Sequence, residues 1–329
     1  MKQRKNVSYS KYGYIFSLPF IIIFLIFSLY PIFYTLIIGF TDYKGLGTTT
    51  WQFLADPFQN FVTILNNNSF RQALVNTFII WTVNFIPQIL MALLLTAWFT
   101  SKRNKMRGKG FFKVLFYLPN IITSASIAIL FFALFGYPVG PVNSLLLNMG
   151  IIDEPIYFLI SKATARGIIA FIQFWMWYGY TMIILTSGVM GINPEIFEAA
   201  EIDGTSGIQT FFYITLPNLK TILLYVLITS MIGGLNMFDI PKMFMQGGPD
   251  NSTLTTSVFI YNQAFSGSYL YNRAAAASMI MFLIIAVFSG ILFYIMRDKG
   301  EIQMRKEAKM LKKERMLLAK ERMNEQEAS

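Results

Sequence analysis

Charged residues interrupt this chain at regular intervals. Six predominantly apolar stretches carry no Asp, Glu, Lys or Arg: residues 12–41, 72–101, 114–152, 167–194, 221–238 and 274–296. A helix needs about 20 apolar residues to cross a bilayer core, with about 17–25 tolerated. Five of the stretches exceed that length, and 221–238, at 18 residues, falls inside the tolerated range. The pattern predicts an all-α polytopic membrane protein with six transmembrane helices. Pro19 and Pro31 fall in the first helix and are expected to kink it, neighbouring helices re-satisfying the freed carbonyls. The second helix is expected over 73–99. The third stretch is too long for one straight span. Gly136, Pro138, Gly140 and Pro141 should end the third helix near Phe135, leaving an outer segment with a short interfacial helix at 142–149. The fourth, fifth and sixth helices are expected over 166–190, 218–240 and 274–296. No repeat of 20–50 residues is visible.

The charges between the runs give an orientation. With the N-terminus inside, the inner segments 1–11, 102–113, 195–220 and 297–329 hold 21 basic and 11 acidic residues. The outer segments hold six of each, so all of the net +10 lies on one side. That asymmetry predicts cytoplasmic termini. A nucleic-acid partner is not indicated, because the charge flanks membrane spans. The first apolar run, 30 residues without an Ala-x-Ala site, is not expected to be a cleaved signal. The organisation expected is a basic arm at 1–11, a six-helix domain at 12–297 and a charged cytoplasmic tail at 298–329. The tail reads as a helix, either solvated or docking a cytoplasmic partner.

Composition narrows the chemistry. Of 329 residues, 55% are hydrophobic and only 13% charged, too few charges to cover a soluble surface. With no Cys and no His, disulfides, thiol nucleophiles, His-based triads and the usual zinc and haem sites are excluded. A membrane-embedded enzyme would need paired acids at membrane depth, and no helix core carries a charge.

One inner loop breaks the charge pattern. Residues 194–217 hold Glu195, Glu198, Glu201 and Asp203 with no basic residue. Pro194 suits a first helical turn, 198–202 is strong helix-forming sequence, and Asp203-Gly204 offers a tight turn. A second short helix should run to about Tyr213, with Pro217 opening the fifth span. The small Ala199 and Ala200 would permit close approach by a partner. This loop resembles the EAA loop of permease subunits in binding-protein-dependent ABC importers. Glu198-Ala199-Ala200, Asp203, Gly204, Ile214, Leu216 and Pro217 stand at that family's spacing, with Thr205 where the family usually has Ala. Residues 14–44, Phe238-Asp239, Gly247-Gly248-Pro249, Ser252-Thr253, 261–265 and 274–278 resemble carbohydrate-importer permeases of the maltose/multiple-sugar type, first-subunit branch. Met245-Gln246 departs from the usual Thr-Gly.

The resemblance implies a type I ABC importer permease in a bacterial plasma membrane, pairing with a second permease. Two cytoplasmic ATPases, carrying ATP and Mg, would grip the coupling loops, and an extracytoplasmic protein would deliver sugar. This chain lacks a G-x-x-x-x-G-K-[ST] loop and is expected to bind no cofactor itself. Gln173, Trp177 and Tyr180 share one face of the fourth helix by spacing. Ser230, Gly234 and Met237, with Gly233, share one face of the fifth. These faces read either as a sugar path or as helix packing. Asp239 reads either as a functional acid or as a hydrated one. The loop 246–272, with Gly247, Gly248, Pro249 and Tyr261, is implied to touch the binding protein; otherwise it is simply hydrated. A non-sugar cargo such as glycerol phosphate stays open, although the spans carry no basic group for an anion.

Overall fold

The computed structural model describes residues 10–48, 50–101, 107–267 and 269–297, with tail positions 307, 309–311, 314 and 316. Those tail positions are helical. The basic arm at 1–9, positions 102–106 and the rest of the expected tail helix lie outside the described residues.

Among the described residues the chain is helical, without strands; one antiparallel bridge joins Thr41 and Phe53. The helices are α1 (Ser10–Phe24), α2 (Tyr30–Ile38), α3 (Gln59–Leu65), α4 (Asn68–Thr100), α5 (Lys109–Ile121), α6 (Ser124–Leu134) and α7 (Pro141–Asn148). There follow α8 (Lys162–Met190), α9 (Pro194–Ile202), α10 (Gly207–Gln209), α11 (Leu216–Asn218), α12 (Lys220–Leu235), α13 (Thr256–Phe265) and α14 (Tyr271–Met296). Among the described residues, four helical stretches are long and apolar enough to span a membrane, or up to six if each of two broken pairs, α5 with α6 and α10–α11 with α12, is one span.

Prolines account for the irregular turns. Five-residue π segments stand at Leu25–Leu29 and Pro241–Met245, and a six-residue one at Thr210–Thr215. Pro31 follows Leu25–Leu29, Pro217 follows Thr210–Thr215, and Pro241 opens the remaining segment. A proline inside a helix gives no N–H to the carbonyl four residues back and crowds it; for Pro31 and Pro217 that carbonyl, of Phe27 and Tyr213, falls in the widened turn, which relieves both problems. In α1–α2 the rod therefore continues from Lys11 to Ile38 instead of breaking.

Three expectations need correction. The third span is not one helix: it breaks at Ile122-Thr123. Thr123 takes extended angles and caps α6, its hydroxyl accepting from the Ser126 amide at 3.3 Å. The fifth span is shorter than expected. It starts at Lys220, not at Pro217, which sits in α11 ahead of a 74° bend. It ends at Leu235, and Asp239 begins a separate turn leading into the π segment at 241–245. The loop 246–272 contains a ten-residue helix, α13, capped by the Thr255 hydroxyl.

The chain packs into two compact units, each drawn from three segments. The first comprises Met1–Asn84, Ile122–Gln173 and Gly234–Ala286; the second comprises Phe85–Ile121, Phe174–Gly233 and Val287–Ser329. The first has a core of Ile64, Phe70, Ala73, Leu254, Val258, Phe259, Ala276 and Ala277. The second is built on Ile89, Ala92, Leu95, Phe99, Tyr178, Met182, Leu185 and Val226. Small residues set the close approaches in the second unit. A Cβ at Gly179 would overlap the Phe116 carbonyl, and one at Gly188 would lie 2.6 Å from Ile222 Cδ1.

Candidate functional site: the 193–218 loop and the polar faces

In the second unit, the acidic loop folds as two capped helices. Asn193 caps α9: its carboxamide oxygen accepts from the Glu195 amide at 3.1 Å, and its amino group donates to Glu195 Oε2 at 3.2 Å. Pro194 fills the first helical position. The far end of α9 closes with two nested bonds. The Gly204 amide donates to the Glu201 carbonyl at 3.1 Å, and the Thr205 amide donates to the Ala200 carbonyl at 3.1 Å. This is the Schellman pattern, which places its C′ residue in the left-handed region. Gly204 is there, at φ 72°. The Thr205 hydroxyl doubles the closure, donating to the same Ala200 carbonyl at 2.8 Å.

A capping box opens the next helix immediately. The Gln209 amide donates to the Ser206 hydroxyl at 3.2 Å, and the Ser206 amide donates to Gln209 Oε1 at 2.8 Å. The turn 203–206 is thus fixed from both sides, leaving little backbone freedom between α9 and α10.

Burial sorts the motif residues. Glu198, Ala199, Asp203, Gly204 and Pro217 are exposed, Ile214 and Leu216 are half-buried, and Ala200 is buried. Of the two alanines, only Ala199 faces outward; Ala200 packs inside and anchors the turn. The same surface carries apolar residues that the sequence reading passed over. Ile202 is 86% exposed, Tyr213 79% and Ile208 74%, with Phe212 beside them in sequence. An apolar face this open on a short, rigid loop marks an interaction surface. The signal was present in the sequence as Ile and aromatic residues between the motif positions.

The proposed path residues divide. Trp177 and Tyr180 are exposed on α8, with rings edge-on at 5.8 Å and 90°. In the same unit the buried Gln88 donates to the Thr181 hydroxyl at 2.9 Å and to the Ser230 hydroxyl at 3.4 Å. Gly233 borders open space. In the first unit, Gln173 and Met237 are buried, and the Gly234 Cβ position lies 2.5 Å from the Trp81 ring. Gln173 therefore does not join Trp177 and Tyr180 on an open face, and Gly234 makes room for an indole of its own chain. Asp239 is exposed.

The loop after the third π segment is built inward. Gly247 is buried at φ 96°, Gly248 and Pro249 are half-buried, and Ser252, Thr253, Thr255 and Thr256 are fully buried. Gly247 and Gly248 give their carbonyls to the Thr253 amide at 3.2 Å and the Thr253 hydroxyl at 2.6 Å. Two helices supply further partners. From α4, Asn76 donates to the carbonyls of Asn251 at 2.6 Å and Leu254 at 3.0 Å. Thr77 meets the Thr256 hydroxyl at 2.8 Å and accepts the Thr256 amide at 2.9 Å. From α8, Arg166 donates through Nε to the Ser252 carbonyl at 2.8 Å and through Nη2 to Asn76 Oδ1 at 2.6 Å. Tyr261 on α13 is exposed, with Lys242 Nζ 4.9 Å from its ring centre.

Against known proteins, residues 61–300 match the family described as "Binding-protein-dependent transport system inner membrane component". A lactose transport system permease protein of Rhizobium radiobacter is 36% identical over 293 residues, covering 88% of this chain and 96% of that protein. An arabinooligosaccharides transport system permease protein of Bacillus subtilis is 31% identical, covering 86% of this chain and 88% of that protein. Among solved structures, a bacterial alginate ABC transporter in complex with an alginate pentasaccharide-bound periplasmic protein has a chain matching at TM-score 0.71 and 25% identity, over 90% of this chain and 98% of that one. The relatives are transport permeases, and the helical architecture is that of an ABC importer permease. A family match across most of the length and a relative 36% identical over 88% of the chain lead to one conclusion: the chain belongs to the binding-protein-dependent transport system inner membrane components.

Proposed function

We propose that this chain is the translocation-pathway subunit of an ATP-driven importer of sugars, most simply oligosaccharides, in a bacterial plasma membrane. It spans the membrane six times, with both termini and the 193–218 loop in the cytoplasm. It pairs with a second, different permease, two ATPase subunits that hold ATP and Mg, and an extracytoplasmic sugar-binding protein. The chain itself carries no catalytic group. The observation that carries this reading is the doubly capped 193–218 loop, rigid in backbone and open on its acidic and apolar surface. The names of the relatives in lactose and arabinooligosaccharide transport support the substrate class.

On this reading Glu198, Ala199 and Asp203 face the ATPase groove. Ala200, Gly204, Ile214, Leu216 and Pro217 keep the loop in shape. Trp177 and Tyr180 offer aromatic faces to sugar C–H surfaces, with Ser230 and Gly233 on α12; Gln173, Gly234 and Met237 shape the wall. Gly247, Gly248 and Pro249 hold the outer loop from which Tyr261 reaches the binding protein. The test is ATP hydrolysis by the purified complex with its binding protein over a panel of mono- and oligosaccharides. Stimulation by one sugar class is expected. Uptake into proteoliposomes that follows an imposed ion gradient without ATP would overturn the proposal.

A further inference from the structure

Three polar side chains meet inside the second unit. Gln88 on α4 is 4% exposed and Thr181 on α8 is 1% exposed, while Ser230 on α12 is half-buried. Their surroundings are apolar: Ile89 and Met182, adjacent in sequence, and Val226, one turn before Ser230, belong to that unit's core. A carboxamide buried in such a place is costly unless it is bonded. Here its nitrogen reaches both hydroxyls, Thr181 Oγ1 at 2.9 Å and Ser230 Oγ at 3.4 Å.

That one nitrogen has a geometric effect. Thr181 stands one helical turn after Trp177, and Ser230 stands one turn before Gly233, where a Cβ would meet open space. With both oxygens within 3.4 Å of a single atom, the Trp177 stretch of α8 is held against the Ser230–Gly233 stretch of α12. A tie between α4 and α8 would be complete with Thr181 alone. The second arm goes to the one member of the group that is not buried.

The same nitrogen also decides where protons point. A carboxamide has two protons to give, and both are used here. The two hydroxyls accept, so each keeps its own proton. Among the described residues neither hydroxyl oxygen has a further bond. Thr181 is enclosed, but half-buried Ser230 can offer its proton to a molecule passing α12.

We propose that Gln88 is a positioning residue for the sugar path: it sets α8 against α12 and turns the Ser230 hydroxyl proton toward cargo. The cargo answers with an oxygen acceptor, as a sugar hydroxyl or ring oxygen does. Gln88 touches no cargo itself and acts through Ser230. The proposal rests on the reading of this chain as a sugar path.

The test uses the assembled transporter with its binding protein in proteoliposomes, given ATP and radiolabelled sugars, lactose and arabinotriose among them. The readout is sugar imported per ATP hydrolysed, a ratio that loss of folded protein does not change. Gln88→Met keeps the length of the side chain and donates nothing. The ratio should fall about tenfold, as loss of one hydrogen bond to cargo would make it. Gln88→Glu keeps the shape and offers at most one proton, and should show the same fall where Gln88→Met assembles poorly. Ser230→Ala should match Gln88→Met, and the double variant should fall no further than either alone, because the two residues act in series. Import of no sugar by the parent complex would sink the reading as a sugar path and this proposal with it. Import by the parent with an unchanged ratio in Gln88→Met and Gln88→Glu, or a double variant whose losses multiply, would overturn this proposal alone.

Discussion

Gly204 and Arg166 are single residues on which larger pieces depend. At φ 72° the Gly204 position is one that an L-residue takes at a cost of about 1–2 kcal/mol. Nothing crowds the site, so backbone strain alone decides the outcome. Gly204→Ala is therefore expected to loosen the loop by about that amount and to lower the yield of ATPase co-purified with the chain. Membrane insertion, scored by the amount of chain in the membrane fraction, should not change. Arg166 holds a fork that lysine cannot imitate, one arm on a backbone carbonyl and one on Asn76. Arg166→Lys should cost about 1.5–3 kcal/mol locally, seen as faster hydrogen exchange at amides 252–256. The glycine was legible in the sequence, because a helix stop four residues past an Ala-Ala pair is a local signal. The arginine was not. Its partners lie 86 and 90 residues away, and a charge at the edge of an apolar run looks like a hydrated one.

At the scale of elements, run length located the long apolar helices and misplaced their ends. The 221–238 run is charge-free to its last residue, yet α12 stops at Leu235 and the chain turns toward Pro241. The break before α6 lay in plain view as Thr123 followed by Ser126, a capping pattern masked by the surrounding hydrophobicity. The π segments could not be read from a 3.6-residue period, although the proline beside each was the clue. Packing between elements gives a prediction of its own. The missing side chain of Gly179 lets α8 lie on α5, so Gly179→Leu should push the helices apart. The cost is at least the roughly 1–3 kcal/mol of an overpacked site, measurable as a lower melting temperature in detergent. Gly233→Ala, where a Cβ meets nothing, is the control and should melt as the parent does. On the faces of α8, Trp177→Ala should slow sugar uptake with little change in melting, because its ring is exposed. Gln173→Leu acts inside the fold and should alter melting first.

Over the whole molecule, α1–α2 and α14 are the barest of the long apolar helices. Their best 18-residue windows are each only 6% buried by this chain, against 61% for α8. Their apolar side chains are left to surroundings outside this chain. Sequence patterning anticipated an apolar helix at α1–α2, kinked at Pro19 and Pro31, where the structure has a continuous rod, and a run that is apolar on every side says nothing about neighbours. The proposed topology has a direct test, since the chain contains no Cys. A cysteine at exposed Tyr213 should react with an impermeant maleimide only in inside-out vesicles, and one at exposed Ser266 only in intact cells. The opposite result would invert the orientation. The clamp around 247–256 bears on how such permeases can be recombined. The segment is continuous in sequence, but its shape is stored elsewhere, in Asn76, Thr77 and Arg166. It is not a module. Grafted alone into a relative, it should lose its form; grafted with those three side chains, it should keep it. Exchange of this segment between relatives then requires at least three separate stretches of the gene to move together.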